Sequence, residues 1–101
     1  IIIIHDELDL PFNALRIKQG GGDNGHNGLK SLTASLSTSD YYRIRMGIGR
    51  PIGDQDPADF VLKQFAKDET KVLPQFMQRG ADAVESLVLN GLDKSQSSFN
   101  D

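Results

Sequence analysis

The segment IIIIHDELDL, residues 1–10, decides the fold class of this chain. Its four successive isoleucines predict a strand that is buried on both faces and bounded by His5 and Asp6, because such β-branched runs are typical of strands covered from both sides. A strand of this kind needs a neighbour on each side and covering helices. Since residue 1 already lies inside the run, we expect the chain to be the C-terminal portion of a larger domain.

Two further strands and a helix are predicted at short intervals. Residues 15–18 alternate as a half-exposed strand, which we expect to run antiparallel to the first, because a parallel crossover needs a dozen or more residues. Leucines at helical spacing predict a helix from Asn27 to Leu36. Residues 42–49 alternate again, with Arg43 and Arg45 on one face of the strand and apolar residues on the other.

The second half of the chain is predicted to contain one long helix. Residues 50–57 form a predicted loop, and a short ordered piece begins at Phe60. The helix begins near residue 70 or is kinked at Pro74, and an Asn-Gly pair ends it. The polar tail, residues 94–101, is expected to fray. The apolar stripe of the helix consists of Leu73, Phe76, Met77, Ala81, Val84, Leu87 and Val88.

The composition excludes several classes of protein. The chain has 101 residues, enough for one small domain, with 11 basic and 14 acidic residues and a net charge of −3. Because it has no cysteine, it holds no disulfide, thiolate metal site or cysteine nucleophile. No run approaches the roughly 20 apolar residues of a membrane-spanning helix, and the opening isoleucines are too few for a secretory signal. We therefore expect a cytoplasmic protein.

The basic residues concentrate in the middle of the chain. Residues 11–53 hold six basic residues against two acidic ones, whereas the segments on either side are acidic. This distribution indicates a local anion-binding face, although ordinary surface charge explains it equally well. Residues two apart on a strand share a face, so two pairs of basic residues would each present paired positive charges to one side. Such pairs suit the phosphates of a polynucleotide. The alternative is a solvated face whose charges limit aggregation at the sheet edge. These pairs are Arg16 with Lys18 and Arg43 with Arg45.

Asp6 lies at the carboxyl end of the first predicted strand, the edge where ligands bind in open α/β sheets. A carboxylate there can orient a histidine, fix its tautomer and stabilise the cation formed when the imidazole takes a proton. The alternative is a turn-forming aspartate that accepts hydrogen bonds from nearby backbone N–H groups. From spacing alone, the turn is the favoured interpretation.

The glycine-rich segment GGGDNGHNG, residues 20–28, places His26 and Asn27 directly before a helix. Glycines let backbone N–H groups approach a ligand closely, and a helix N-terminus favours an anion or a developing oxyanion. The segment lacks the G-K-[S/T] ending of a Walker loop, and Asp23 does not suit a dinucleotide fingerprint. We favour a functional role over a strained surface loop in which Asn27 only caps the helix. A metal site is less favoured, because His5 and His26 are the only imidazoles and lack paired ligand spacing.

Three blocks closely resemble the bacterial-type peptidyl-tRNA hydrolase family in order and spacing: HDELDLP (residues 5–11), GGGDNGHNGLKS (residues 20–31) and YYRIRMGIGRP (residues 41–51). The resemblance runs from residue 1 through the final helix. It implies a single three-layer α/β domain, a twisted mixed β-sheet between helices, of which residues 1–101 are the C-terminal portion. It also implies hydrolysis of the ester between a peptide and the terminal ribose of tRNA, which recycles tRNA in translation, by a monomer without a metal or other cofactor.

The resemblance also implies roles for individual residues. Asp6 matches the catalytic carboxylate that holds the family's catalytic histidine, and that histidine and two substrate-positioning asparagines lie upstream of anything present here. His26 and Asn27 match substrate-binding loop residues that contact the acceptor end of the tRNA and help to position water. Asp23 departs from the family pattern, in which histidine is common, and we do not expect this difference to decide activity. The resemblance also implies a tRNA-contacting face that includes Arg16, Lys18 and Arg45.

Two hypotheses about function remain open. In the first, the parent protein is the esterase, and this chain supplies Asp6 and the RNA-binding face but is inactive alone. In the second, the chain is a non-catalytic RNA-binding or interaction module with the same partial fold. His5 is a poor candidate for the base, because it directly precedes Asp6 on the strand and neighbouring residues point to opposite faces.

Overall fold

The computed structural model describes residues 1–23, 25–50 and 67–100. Within these ranges the elements in chain order are β1 (Ile2–Glu7), β2 (Leu15–Gln19), α1 (Asn27–Leu36), β3 (Tyr42–Gly47), α2 (Lys67–Asn90) and α3 (Leu92–Phe99). The predicted helix α1 is confirmed at both ends. The predictions for residues 51–57 and for the piece beginning at Phe60 lie outside the described residues. None of the helices in the described ranges is both long and apolar enough to cross a membrane.

The three described strands form one mixed sheet in the order β1-β3-β2. β1 pairs with β3 in parallel, with Ile4 opposite Ile44, and β2 pairs with β3 antiparallel, with Ile17 opposite the same Ile44. β1 and β2 therefore run in opposite directions, as predicted, but β3 lies between them. The connection from β1 to the parallel β3 contains β2 and α1, which gives it the length that a parallel crossover needs.

One face of the sheet carries the hydrophobic core, which α2 and α3 cover. Ile44 in the central strand is fully buried, α2 packs against β3, and α3 packs against β2. Removing this apolar surface from water is the main source of stability for the folded chain. The buried core consists of Leu15, Ile17, Ile44, Phe76, Ala83 and Leu87.

The opposite face of the sheet carries polar and charged side chains. Arg43 precedes Ile44 on β3 and therefore points away from the core. Its guanidinium lies 4.6 Å from the centre of the Tyr41 ring, and Tyr41 Oη is hydrogen-bonded to Thr33 Oγ1 of α1 at 3.1 Å. Helices are thereby attached on both sides of the sheet, which confirms the predicted α/β fold with a mixed sheet.

The prediction that residues 1–4 form a strand buried on both faces is wrong for this chain. Ile1 and Ile4 are 71% and 52% exposed, and β1 extends to Glu7 instead of ending at His5. The physical reason is that β1 lies at an edge of the described sheet, whereas α2 and α3 pack against β3 and β2. Among the described residues, no layer covers this part of β1.

Helix α2 begins at Lys67, earlier than the predicted start near residue 70. It continues through Pro74, whose ring removes one backbone hydrogen bond without ending the helix. Its last residue is Asn90, and Gly91 follows with a φ of 84°, a positive value that favours glycine. The predicted Asn-Gly stop is confirmed.

The buried stripe of α2 is rotated from the predicted one. Met77 and Val88, both predicted to lie on it, are 66% and 70% exposed, and Ala81 is exposed as well. Gly80 lies close to the sheet, since a Cβ at that position would lie 2.8 Å from Met46 Sδ and the methionine side chain would have to shift. The buried residues of α2 are Phe76, Gly80, Ala83 and Leu87.

The C-terminal segment is helical and packed, contrary to the expectation that it frays. Ser95 of α3 is fully buried. Because β2 lies at an edge of the described sheet, its outer backbone groups need partners, and the tail supplies them. Ile17 N–H donates to Asn100 Oδ1, and Ile17 O accepts from Gln96 Nε2 at 3.1 Å and from Asn100 Nδ2 at 3.3 Å.

Candidate active site

Asp6 and His26 meet near the carboxyl end of β1. Asp6 belongs to that strand, and His26 lies 20 residues later in the sequence, directly before α1. His26 Nε2 lies 2.8 Å from Asp6 Oδ1, and the two side chains are 25% and 38% exposed. The pair is therefore accessible from solvent. The turn-forming alternative for Asp6 is wrong, because the residue lies within a strand and its carboxylate binds a histidine.

Both ring nitrogens of His26 have partners. The backbone N–H of Leu29 donates to His26 Nδ1 at 3.1 Å, which makes His26 the N-cap of α1. Since Nδ1 accepts, the proton of the neutral ring is assigned to Nε2, which donates to Asp6 Oδ1. In this arrangement, His26 has no free lone pair with which to take a proton from water.

Asn27 is the first residue of α1 and is exposed. The alternative in which Asn27 caps the helix is wrong, because the cap is His26. Gly28 leaves room for the capping ring, since a Cβ at that position would lie 2.9 Å from His26 Cε1. The sequence His-Asn-Gly thus places a capping ring and an exposed carboxamide at one helix N-terminus, where the backbone dipoles favour developing negative charge.

His5 is buried and contacts the ring of His26. Its Nδ1–H donates to the backbone carbonyl of Asp6 at 2.8 Å. The His5 and His26 rings meet edge-on, with 5.2 Å between their centroids. His5 Nε2 is buried and has no hydrogen-bond partner among the described residues. His5 does not bind the carboxylate of Asp6, in agreement with the expectation of poor pairing between these neighbours.

The titration of His5 should make the stability of the chain depend on pH. Burial lowers the pKa of His5 below its ordinary value of 6.5. As the pH falls through that value, the unfolded chain takes up a proton on this ring before the folded chain does, so the free energy of unfolding should fall. His5→Phe keeps a ring and removes the titration, and it should therefore lose less stability between about pH 7.5 and pH 5.5. Urea denaturation measures both losses, and equal losses in the two proteins would contradict this prediction.

Arg43 does not belong to an exposed basic face. It is 2% exposed, and its guanidinium donates hydrogen bonds to the backbone carbonyls of Gly21, Gly22 and Ser39. The prediction that Arg43 and Arg45 present paired charges is therefore wrong for Arg43. Alternation along a strand assigns a side chain to a face of the sheet, but it does not show whether a loop covers that face.

The other predicted basic residues lie on the same face of the sheet as Arg43. Arg16 is exposed on β2, and Lys18 on the same strand is partly buried. Arg45 is held by the buried Glu7, whose Oε1 lies 3.0 Å from Arg45 Nη2 and 3.1 Å from Arg45 Nε. Arg45 is therefore fixed in direction and partly neutralised, whereas Arg16 and Lys18 make no ion pair within the described ranges.

Comparison with known proteins identifies the family to which the chain belongs. The family model for peptidyl-tRNA hydrolase matches residues 1–101. The chain belongs to the peptidyl-tRNA hydrolase family. The peptidyl-tRNA hydrolase of Streptomyces coelicolor is 57% identical over 100 residues, which are 99% of this chain and 50% of the relative. That of Frankia casuarinae is 53% identical over 99% of this chain and 51% of its own length.

A solved structure of the peptidyl-tRNA hydrolase family has the same fold. The crystal structure of peptidyl-tRNA hydrolase from Acinetobacter baumannii matches with a TM-score of 0.83 and 29% identity, over 98% of this chain and 50% of that one. The resemblance predicted from the three sequence blocks is thereby confirmed. The chain spans about half the length of the relatives it matches.

Two contacts of the candidate site are not indicated by the amino-acid sequence. Asp6 and His26 are each identified, but not their hydrogen bond, and Glu7 is not singled out as the partner of Arg45. The available signal is strand alternation: once β1 is known to lie beside β3 in parallel, Glu7 and Arg45 fall on the same face. That neighbour relation is a property of the tertiary fold.

Proposed function

We propose that this chain forms the C-terminal half of an enzyme that hydrolyses the ester between a peptide and the terminal ribose of tRNA. The observation that carries the proposal is the hydrogen bond between Asp6 and His26 at the N-terminus of α1, next to the exposed Asn27. Family membership supplies the substrate class. The arrangement offers a carboxylate that can orient a general base and polar groups that can hold substrate, both of which ester hydrolysis needs.

In the proposed reaction, a water molecule attacks the carbonyl carbon of the ester. The resemblance implies that a histidine takes the proton of this water, and we place that histidine in the half of the relatives that this chain does not span. Its N–H would donate to Asp6 Oδ2, since Oδ1 already accepts from His26. The tetrahedral intermediate then collapses, the bond from the carbonyl carbon to the ribose oxygen breaks, and the histidine returns the proton to that oxygen.

His26 and Asn27 would position groups in this reaction rather than exchange protons. His26 fixes the carboxylate of Asp6 through Nε2 and the start of α1 through Nδ1. Asn27 is thereby held at a defined place, from which its carboxamide would hold the acceptor end of the tRNA or the attacking water. Substrate positioning of this kind lowers the barrier because the reacting groups no longer have to find each other.

A chimera tests the proposed function. In it, residues 1–101 replace the matching segment of the Streptomyces coelicolor relative, which is 57% identical in this region. The chimera should release the acyl group from N-blocked aminoacyl-tRNA at a rate within about tenfold of the parent relative, a difference of about 1.4 kcal/mol in barrier. A folded chimera that binds tRNA without hydrolysing the ester would overturn the proposal and favour the non-catalytic RNA-binding module.

We propose that Arg16, Lys18 and Arg45 contact the phosphate backbone of the tRNA. In the chimera, Lys18→Ala should weaken tRNA binding and reduce the slope of log affinity against log salt by roughly one phosphate contact. Arg45→Ala should act in the same direction, although it also leaves the buried Glu7 without its partner. The affinity should fall equally for tRNA with different attached amino acids.

The matched control is Lys94→Ala, which removes an exposed lysine from α3. Fluorescence anisotropy of labelled tRNA over a series of salt concentrations measures the salt slopes of the Lys18→Ala, Arg45→Ala and Lys94→Ala variants. If Lys18→Ala gives the same salt dependence as Lys94→Ala, the proposed tRNA-binding face is wrong. Because β2 separates α3 from the basic face of the sheet, the control should match the unmodified chimera.

We further propose that the protein acts in the cytoplasm, as a monomer and without a metal or other cofactor. The composition of the chain favours a cytoplasmic location, and the resemblance implies a monomer that needs no metal or other cofactor. Size-exclusion chromatography of the chimera with light scattering would test the monomer, and hydrolysis after exhaustive chelation would test the independence from metal.

A further inference from the structure

His5 is a buried polar residue that the proposed reaction does not use, and it contacts both members of the Asp6–His26 pair. Its Nδ1–H donates to the backbone carbonyl of Asp6 at 2.8 Å. Its ring meets the ring of His26 edge-on, with 5.2 Å between the centroids, which is ordinary contact geometry for aromatic rings. One side chain therefore contacts both the residue that bears the carboxylate and the histidine that binds it.

The ring of His5 is itself fixed in place. The residue is 8% exposed, and its Nε2 is buried without a hydrogen-bond partner among the described residues, so the bond at Nδ1 sets the orientation of the ring. Burial lowers the pKa of His5, which keeps the ring neutral at neutral pH. His5 thus presents a neutral ring, anchored at one nitrogen, to its neighbour.

The ring of His26, by contrast, has room to move. Its side chain is 25% exposed, and its two hydrogen bonds, from Nε2 to Asp6 Oδ1 and from the Leu29 N–H to Nδ1, form together in only one orientation of the ring. A ring that turned into solvent would regain rotamer freedom and exchange both bonds for bonds to water. Because His5 and Asp6 are neighbours on β1 and point to opposite faces, they contact His26 from two directions.

We infer that His5 is a positioning residue, whose anchored ring holds His26 in the orientation that binds Asp6 Oδ1 and the Leu29 N–H together. Held in this way, His26 occupies one oxygen of Asp6 and leaves Oδ2 for the base of the proposed reaction. The inference deepens the proposed function, on which it rests for that reaction. His5 acts through His26, without touching the substrate or exchanging a proton.

The test is NMR of the isotope-labelled 101-residue chain at neutral pH. The Nε2–H proton of His26 should be observable, because its hydrogen bond to Asp6 slows exchange with water, and it should lie close in space to the ring protons of His5. The Leu29 N–H should be protected from hydrogen exchange. A His26 ring proton that exchanges too fast to be observed, or one with no contact to the His5 ring, would overturn the inference before any variant is made.

Two variants separate the ring of His5 from its anchor. His5→Asn keeps an N–H donor for the Asp6 carbonyl but has no ring, so the His26 proton should be lost and the Leu29 N–H should exchange at least about tenfold faster. His5→Phe keeps a ring without the donor and should have a smaller effect. Equal exchange of the Leu29 N–H in His5→Asn and in the unmodified chain would overturn the inference.

The control for a general loss of stability is Ser95→Ala. This variant removes a fully buried hydroxyl of α3 that is hydrogen-bonded to Ser86 Oγ at 2.6 Å. It should lower the free energy of unfolding in urea while the His26 ring proton stays observable. Equal effects of Ser95→Ala and His5→Asn on that proton would show that His5 contributes only to general stability, and would overturn the positioning role.

The chimera measures the consequence for the reaction. His5→Asn should lower kcat by about tenfold at a nearly unchanged KM, because the groups that contact the substrate remain while the support of Asp6 loosens. An unchanged kcat beside a loosened His26 would overturn the positioning role in the reaction. A chimera that hydrolyses no ester even with His5 present would overturn the proposed function instead, so the two failures are distinguishable.

Discussion

In the chimera, Asp6→Ala should lower the hydrolysis of peptidyl-tRNA by about 10²- to 10⁴-fold while leaving tRNA binding nearly unchanged. The reason is that Asp6 would orient the base and stabilise the imidazolium that forms, without contacting the RNA. Asp6→Asn should lose nearly as much, because an amide can still accept the hydrogen bond from His26 but carries no negative charge. Single-turnover hydrolysis and tRNA anisotropy measure the two effects separately.

The matched control is Asp9→Ala. Asp9 follows Asp6 by three residues, but its carboxylate forms an ion pair with the exposed Arg50, whereas that of Asp6 is hydrogen-bonded to His26. An exposed ion pair contributes at most about 1 kcal/mol to stability, so this variant should hydrolyse the ester at nearly the unmodified rate. Undiminished hydrolysis in Asp6→Ala would remove the carboxylate from the mechanism, and equal losses in Asp6→Ala and Asp9→Ala would mean a general effect of removing charge.

The elements that sequence patterns predict well are those whose ends are set by nearby residues. For α1, the leucine spacing and the His-Asn-Gly start are both local, and the structure confirms both ends. Helix α3 is different, because its polar sequence resembles a fraying tail. What orders it is the set of hydrogen bonds from Gln96 and Asn100 to the backbone of Ile17, about 80 residues away. No local sequence pattern predicts hydrogen bonds between such distant residues.

Local sequence patterns also do not predict the exposure of individual strand residues. Four isoleucines indicate a strand covered on both faces, but the number of layers over Ile4 depends on where β1 lies in the sheet and on what α2 and α3 cover. Arg43 and Arg45 have the same alternation and chemistry, yet one is buried beneath the glycine-rich segment and the other binds Glu7. The difference arises from the path of a loop, which strand periodicity does not describe.

The residues of the candidate site could be predicted individually, but their pairing could not. Asp6 is indicated by its place at the end of a strand, and His26 by its place before a helix. Their hydrogen bond depends on the crossover that brings the N-terminus of α1 back to β1. The bond changes the chemistry of the site, because it occupies the second nitrogen of His26 and leaves the ring without a free acceptor.

The 101-residue chain by itself should hydrolyse no detectable peptidyl-tRNA. The chain contains two histidines. His26 donates to Asp6 and accepts from Leu29, and His5 is buried with its Nδ1–H bound to a backbone carbonyl. Neither ring can take a proton from a water molecule at the ester. Because catalytic groups that act as a unit are strongly non-additive, loss of the base should lower the rate by at least about 10³-fold relative to the chimera.

We propose that this chain supplies the supporting carboxylate and the substrate-positioning groups of the reaction but not the base. The decisive experiment is single-turnover hydrolysis of N-blocked aminoacyl-tRNA by the 101-residue chain, its His26→Ala variant and the chimera, side by side at neutral pH. We predict that the chain and the variant both release the acyl group at the rate of buffer alone, while the chimera is fast. Release by the chain at a rate near that of the chimera, abolished by His26→Ala, would contradict the claim and identify His26 as the base.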